Sequence, residues 1–121
     1  MMLIQKRILC AERVRRTPPS FSWVDHRLVR QRYLMRVPAE AWALYLVLVT
    51  AGDEHGLSYY SDVSVGRLLA LRADEVAAAR RQLLAAGVIA YEDPLYQVLS
   101  LDGEWAAAAE PGARAEKGAR P

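Results

Sequence analysis

The sequence predicts a mainly α fold closed by a small antiparallel β-hairpin. Three observations predict it. Residues 61–89, SDVSVGRLLALRADEVAAARRQLLAAGVI, carry apolar residues at helical spacing in two short blocks separated by a tight turn. Residues 39–50 are apolar almost all round, the pattern of a helix at the centre of a core. Residues 88–91 and 95–101 are rich in β-branched and aromatic side chains and flank Glu92-Asp93-Pro94, a hairpin turn.

Taken in order, the first 16 residues place Ile4, Ile8 and Ala11 on one helical face, although a strand through 3–10 fits nearly as well. Thr17-Pro18-Pro19-Ser20 breaks any helix and marks a linker. Phe21, Ser22, Trp23 and Val24 suit a short extended piece whose aromatics pack on the body. Asp25 is placed to cap a helix running to Arg36, with Leu28, Val29, Tyr33 and Leu34 as its apolar stripe. Pro38 suits the first turn of the central helix, in which Trp42, Leu46 and Val49 are expected to be buried.

Gly52 ends that helix, residues 53–56 make a turn, and residues 57–60 read as a strand. Ser61 caps the next helix, 61–70, in which Val63, Leu68 and Leu69 are expected on one side. The turn at 71–74 leads into helix 74–86, with Val76, Ala79, Leu83 and Leu84 at helical spacing and Gly87 at its stop. Beyond Asp102 the chain turns to Ala, Gly, Glu and Pro, and residues 102–121 are expected to be disordered. The organisation is thus an arm with a short helix over 1–37, a body over 38–101 and a tail.

With 121 residues the chain suffices for one domain with a real core, and an apolar fraction of 53% fits a globular protein, not a disordered one. A single cysteine excludes an internal disulfide. Cys10 suits a small apolar filler in a reducing compartment. The apolar run near 41–51 is too short to span a bilayer, and Lys6 and Arg7 interrupt any secretory h-region, so a cytoplasmic protein is expected.

The small net charge of +2 hides an asymmetry. Residues 1–37 carry nine basic and two acidic side chains, whereas the remainder carries seven basic and twelve acidic ones. A basic arm on a mildly acidic body suits contact between the arm and a polyanion; a solvated arginine face is the alternative.

Two helices joined by a turn of three or four residues are a helix-turn-helix. The segments SVGRLLAL and EVAAARRQLLAAGVIAY resemble the second helix, recognition helix and first wing strand of the winged helix-turn-helix family. The closing Leu-Ala-Ala-Gly-Val-Ile is the most specific piece, and the resemblance covers about residues 38–101. It is nearest to small bacterial regulators and to replication proteins of plasmids and phages. It implies binding to double-stranded DNA, in transcription regulation or in replication of a mobile element.

With Val76 inward, helix 74–86 sends Asp74, Ala77, Ala78, Arg81, Gln82 and Ala85 outward. The candidate DNA contacts are Arg72, Arg81 and Gln82 at the groove, and Arg13, Arg15, Arg16 and Arg30 on backbone phosphates. The acids and alanines of that helix, and Glu92 and Asp93 in the wing turn, depart from a base-reading surface. A protein-interaction module is therefore the alternative function, and a homodimer is compatible with either.

No nucleophile motif or glycine-rich phosphate loop appears, so an enzyme is not expected and no cofactor is implied. Asp53, Glu54 and His55 lack metal-ligand spacing and suit an exposed turn. Tyr59, Tyr60, Tyr91 and Tyr96 are expected to pack within the small sheet. Arg80 falls on the apolar face of its helix, where an unpaired charge is untenable, and Asp25 or Glu40 is its expected partner.

Overall fold

Helix α2 (Ala39–Ala51) is the element on which the others pack. The structure, a computed structural model, describes residues 5–101. Before α2 stand a 3-10 turn (Ala11–Arg13), the single-turn helix α1 (Arg27–Arg30) and a second 3-10 turn (Tyr33–Arg36). After it come β1 (Leu57–Tyr59), α3 (Asp62–Leu69), α4 (Ala73–Ala86), β2 (Ile89–Glu92) and β3 (Leu95–Val98). The strands form one antiparallel sheet in the order β1-β3-β2. The described residues are thus mixed, about 47% helix with a small three-stranded sheet. Among the described residues no helix is long and apolar enough to cross a membrane.

Local chemistry explains the boundaries. The Ser61 hydroxyl accepts the Ser64 amide at 3.0 Å and starts α3. Ala70, with φ 58°, ends α3, and the Leu71 amide donates back to the Gly66 carbonyl at 2.9 Å. A Cβ on Gly66 would stand 2.5 Å from the Leu71 carbonyl oxygen, so this turn closes only over a bare α-carbon. Gly87 (φ 78°) donates to Leu84 and Val88 to Leu83, the paired bonds of a Schellman end that releases the chain into β2. The β2–β3 connection is two residues, Asp93-Pro94, between the paired Glu92 and Leu95.

The core joins Leu44 and Leu48 of α2, Val65 of α3, Val76 and Leu83 of α4, and Ile89 and Tyr96 of the sheet. Leu28 and Tyr33 enter it from the preceding segment. The expected continuous helix from Asp25 to Arg36 does not form. On one helix Leu28 and Tyr33 would diverge by about 140° at 100° per residue. The chain breaks at Arg32 (φ 63°) instead, which turns Tyr33 inward and leaves Val29 and Leu34 exposed.

Other expectations are corrected. Leu46 is 60% exposed, and Trp42 and Val49 are only half-buried. Helix α2 is apolar on every side, so its sequence does not distinguish the face that turns inward, and Ala41, Leu44, Tyr45 and Leu48 take it. In α3 the inward stripe is Val65, Gly66 and Leu69, so Val63 and Leu68 point to solvent.

Residues 5–24 are all exposed and form only the 3-10 turn; among the described residues their apolar side chains meet no packing partner that would fix a longer helix. Phe21 and Trp23 therefore do not pack on the body, and Cys10 is no core filler: its thiol donates to the Glu12 carboxylate at 3.3 Å in the open. Tyr96 is buried with Tyr91 tilted against it, but Tyr59 lies exposed on β1. Ile4 and the expected disordered tail lie outside the described residues.

Candidate nucleic-acid interface

Helix α4 presents the outward face that its period requires. Asp74, Arg81 and Ala85 are exposed, and Ala77, Ala78 and Gln82 half-buried. Arg72 precedes it, and its backbone amide donates to the Glu75 carboxylate at 2.8 Å, one half of a capping box. The Arg72 guanidinium lies 3.1 Å from Asp74 and 3.8 Å from Glu75. The hydrogen bond from Arg72 holds the Asp74 carboxyl below the usual carboxylate range, and Asp74 raises the arginine in return. So exposed a pair adds little stability, yet it offsets the charge that a phosphate would meet.

Gln82 lines a shallow hollow of about 390 Å³ with Arg36, Val37, Pro38, Ala85 and Ala86. The structure thus brings Gln82 beside Arg36, at the end of the basic segment. This neighbour is not evident from sequence spacing, because Arg36 is set by the 3-10 turn that follows the break at Arg32. Arg81 is exposed and carries no ion pair among the described residues. In the β2–β3 turn Asp93 accepts the Tyr91 hydroxyl at 2.9 Å, so the hairpin tip is short and acidic.

Arg80 does meet a carboxylate, but neither of the two expected. Its guanidinium reaches Asp62 at 2.6 and 3.3 Å and the Tyr96 hydroxyl at 3.0 Å, and its carbon stands 4.4 Å over the Tyr91 ring. Asp25 instead pairs with Arg27 at 2.7 Å, and Glu40 is exposed. The reason is packing: α3 lies against α4, so the first turn of α3 is nearer to Arg80 than the arm is. Asp62 holds Arg80 more firmly protonated, and burial raises the Tyr96 hydroxyl. Arg80 ties α3, α4 and the sheet together and is not available to a ligand.

The arm is different. Arg13 stands in the 3-10 turn, Arg15 and Arg16 follow it, and Arg30 lies on α1; all four are exposed, with no ion pair among the described residues. Arg36 lies 4.1 Å over the ring of Tyr33, and the Trp42 indole donates to the Leu34 carbonyl at 3.1 Å. These contacts hold the end of the basic segment against α2.

Asp53, Glu54 and His55 gather their ligand atoms within 4.8 Å, all three exposed. Asp53 is engaged by the amides of Leu57 and His55, at 2.9 and 2.8 Å, which hold its carboxyl low and close the turn. No family model, no curated protein and no solved structure matches the chain.

Proposed function

We propose that this chain is a DNA-binding protein with a winged-helix body, acting in transcription regulation or in replication of a mobile element. The element order α2-β1-α3-α4-β2-β3 and the strand order β1-β3-β2 support the winged-helix reading, with α4 as recognition helix and β2–β3 as wing. One observation carries the DNA reading: among the described residues Arg13, Arg15, Arg16 and Arg30 are exposed without carboxylate partners, whereas Arg27, Arg72 and Arg80 each meet one. Cations left open in this way are those that phosphates displace salt from. The arm supplies most of the affinity, and Arg81 and Gln82 supply what contact α4 makes at the groove.

The test is the affinity for labelled duplexes of unrelated sequence, measured against salt. Binding by the wild type should fall steeply as salt rises. Changing Arg13, Arg15 and Arg16 together to Ala should weaken binding to every duplex alike. It should also flatten the log–log slope by about 0.9 for each phosphate that the arm no longer neutralises. Unchanged affinity and slope would overturn the reading. The exposed Leu46, Leu34 and Met35 favour the second reading, a protein-interaction module or homodimer, whose association would respond little to salt.

A further inference from the structure

Ahead of α1, six large apolar side chains stand open among the described residues: Ile8, Leu9, Val14, Phe21, Trp23 and Val24. The two aromatics are the most informative. Phe21 is 67% and Trp23 76% exposed, and neither belongs to the core or packs against it. Residues 21–25 form no helix, strand or turn. Upstream stand Arg13, Arg15 and Arg16, and no acidic residue lies between Arg13 and Val24. Pro18-Pro19 separates cations from rings, and prolines restrict the backbone to an extended, semi-rigid spacer. Downstream, Asp25 accepts the Arg27 amide at 2.8 Å, and Leu28 enters the core, so the rings are tethered a few residues from the body.

We propose that Phe21 and Trp23, together with the cations at 13–16, form a stacking site for an unpaired nucleic-acid strand. The proposal rests on the nucleic-acid reading above and names the form of nucleic acid that the arm takes. A protein partner would cover the rings, but it would have to supply a matching set of carboxylates for the three arginines. A phosphate strand with its bases turned out uses both. Side chains two residues apart on extended backbone stand about 6.6 Å apart along the chain. That is close to two stacking steps of about 3.4 Å each, which leaves room for one base between the two rings. In a duplex the base faces are already stacked on one another. The body is also poorly equipped to read a duplex groove, since α4 turns Ala77 and Ala78 outward, Arg72 is held by Asp74, and the wing tip is acidic.

The experiment measures binding of the full chain to labelled oligothymidine, to the matching oligouridine and to a blunt duplex of equal length, each across a salt series. Oligothymidine or oligouridine should bind more tightly than the duplex, and the tighter of the two identifies DNA or RNA as the source. Phe21→Ala and Trp23→Ala should each weaken single-strand binding about tenfold, with the salt slope unchanged. Trp23→Tyr should keep most of the affinity, since a ring remains. Both sites are exposed, so the variants should melt like the wild type.

Duplex binding as tight as single-strand binding, or single-strand binding indifferent to both alanine variants, would overturn the stacking site and leave DNA binding in place. Absence of any salt-dependent binding, single-stranded or duplex, would overturn the proposed function together with the site.

Discussion

Arg72 and Arg80 of the body and Arg13, Arg15 and Arg16 of the arm have the same side chain and opposite fates. In the body Arg80 is only 15% exposed and shared among Asp62, Tyr96 and the Tyr91 ring, and Arg72 is held by the acids of its own helix. In the arm Arg13, Arg15 and Arg16 touch no carboxylate among the described residues. A charge that enters a fold must be neutralised there, because its hydration is lost. A charge that stays outside keeps its hydration and its counterions, and therefore its capacity to exchange them for a polyanion. Net charge, which is nearly balanced here, conceals that division; pairing reveals it.

Three measurements sharpen or break the contrast. The largest effect belongs to the body and involves no charge. Leu44→Ala, at a fully buried site, should cost about 2–5 kcal/mol in denaturant unfolding, whereas Leu46→Ala on the same helix should cost under about 0.5 kcal/mol. Equal costs would mean that the inward face of α2 is misplaced.

Next is Arg80→Ala, expected to cost about 1–3 kcal/mol, because it leaves the Asp62 carboxylate and the Tyr96 hydroxyl without their partner. Asp62 is one-third exposed and sits in the first turn of α3, where the helix dipole favours an anion, so the cost stays below that of a fully buried pair. Arg80→Lys should rescue only part of it, since an ammonium lacks the planar fork. A loss no greater than that of Arg81→Ala would put Arg80 in the same class as the arm.

The smallest effect is acid-linked. Arg72 lowers the Asp74 carboxyl, and Arg27 lowers that of Asp25. A carboxyl with a lowered folded pKa stabilises the fold above its unfolded value, near pH 4, and loses that contribution as pH falls through the folded value. The melting temperature of Asp74→Ala should therefore lie slightly below wild type at pH 5, and the gap should narrow as the pH is lowered toward 2. A gap that is undiminished at pH 2 would mean that Asp74 acts other than through its charge.

Much of the fold is legible in the sequence because its ends are written in local chemistry. Ser61 and Gly87 mark α3 and α4 to within a residue or so, and the hairpin falls around Asp93-Pro94 as its turn residues require. What is not legible depends on packing between elements. An all-apolar α2 has no periodic signal for its inward face, so nothing in it sets Leu46 apart from Leu44. The partner of Arg80 depends on how α3 lies against α4, which no spacing within α4 contains. Arg72 carries a local signal that is easily missed: a residue followed by Asp two and Glu three positions later is a capping pattern, and it bears directly on that arginine's availability. The exposure of Phe21 and Trp23 follows from the absence of a partner surface, which no composition records.

The bare α-carbon at Gly66 limits how this sequence can drift. Helix surfaces accept many residues, and α4 itself is nearly half alanine. At Gly66 even a methyl group collides with a main-chain oxygen that no rotamer change can move aside. The turn that sets α3 against α4 thus depends on one glycine. Residues 5–24, by contrast, are exposed throughout, where most substitutions change stability little.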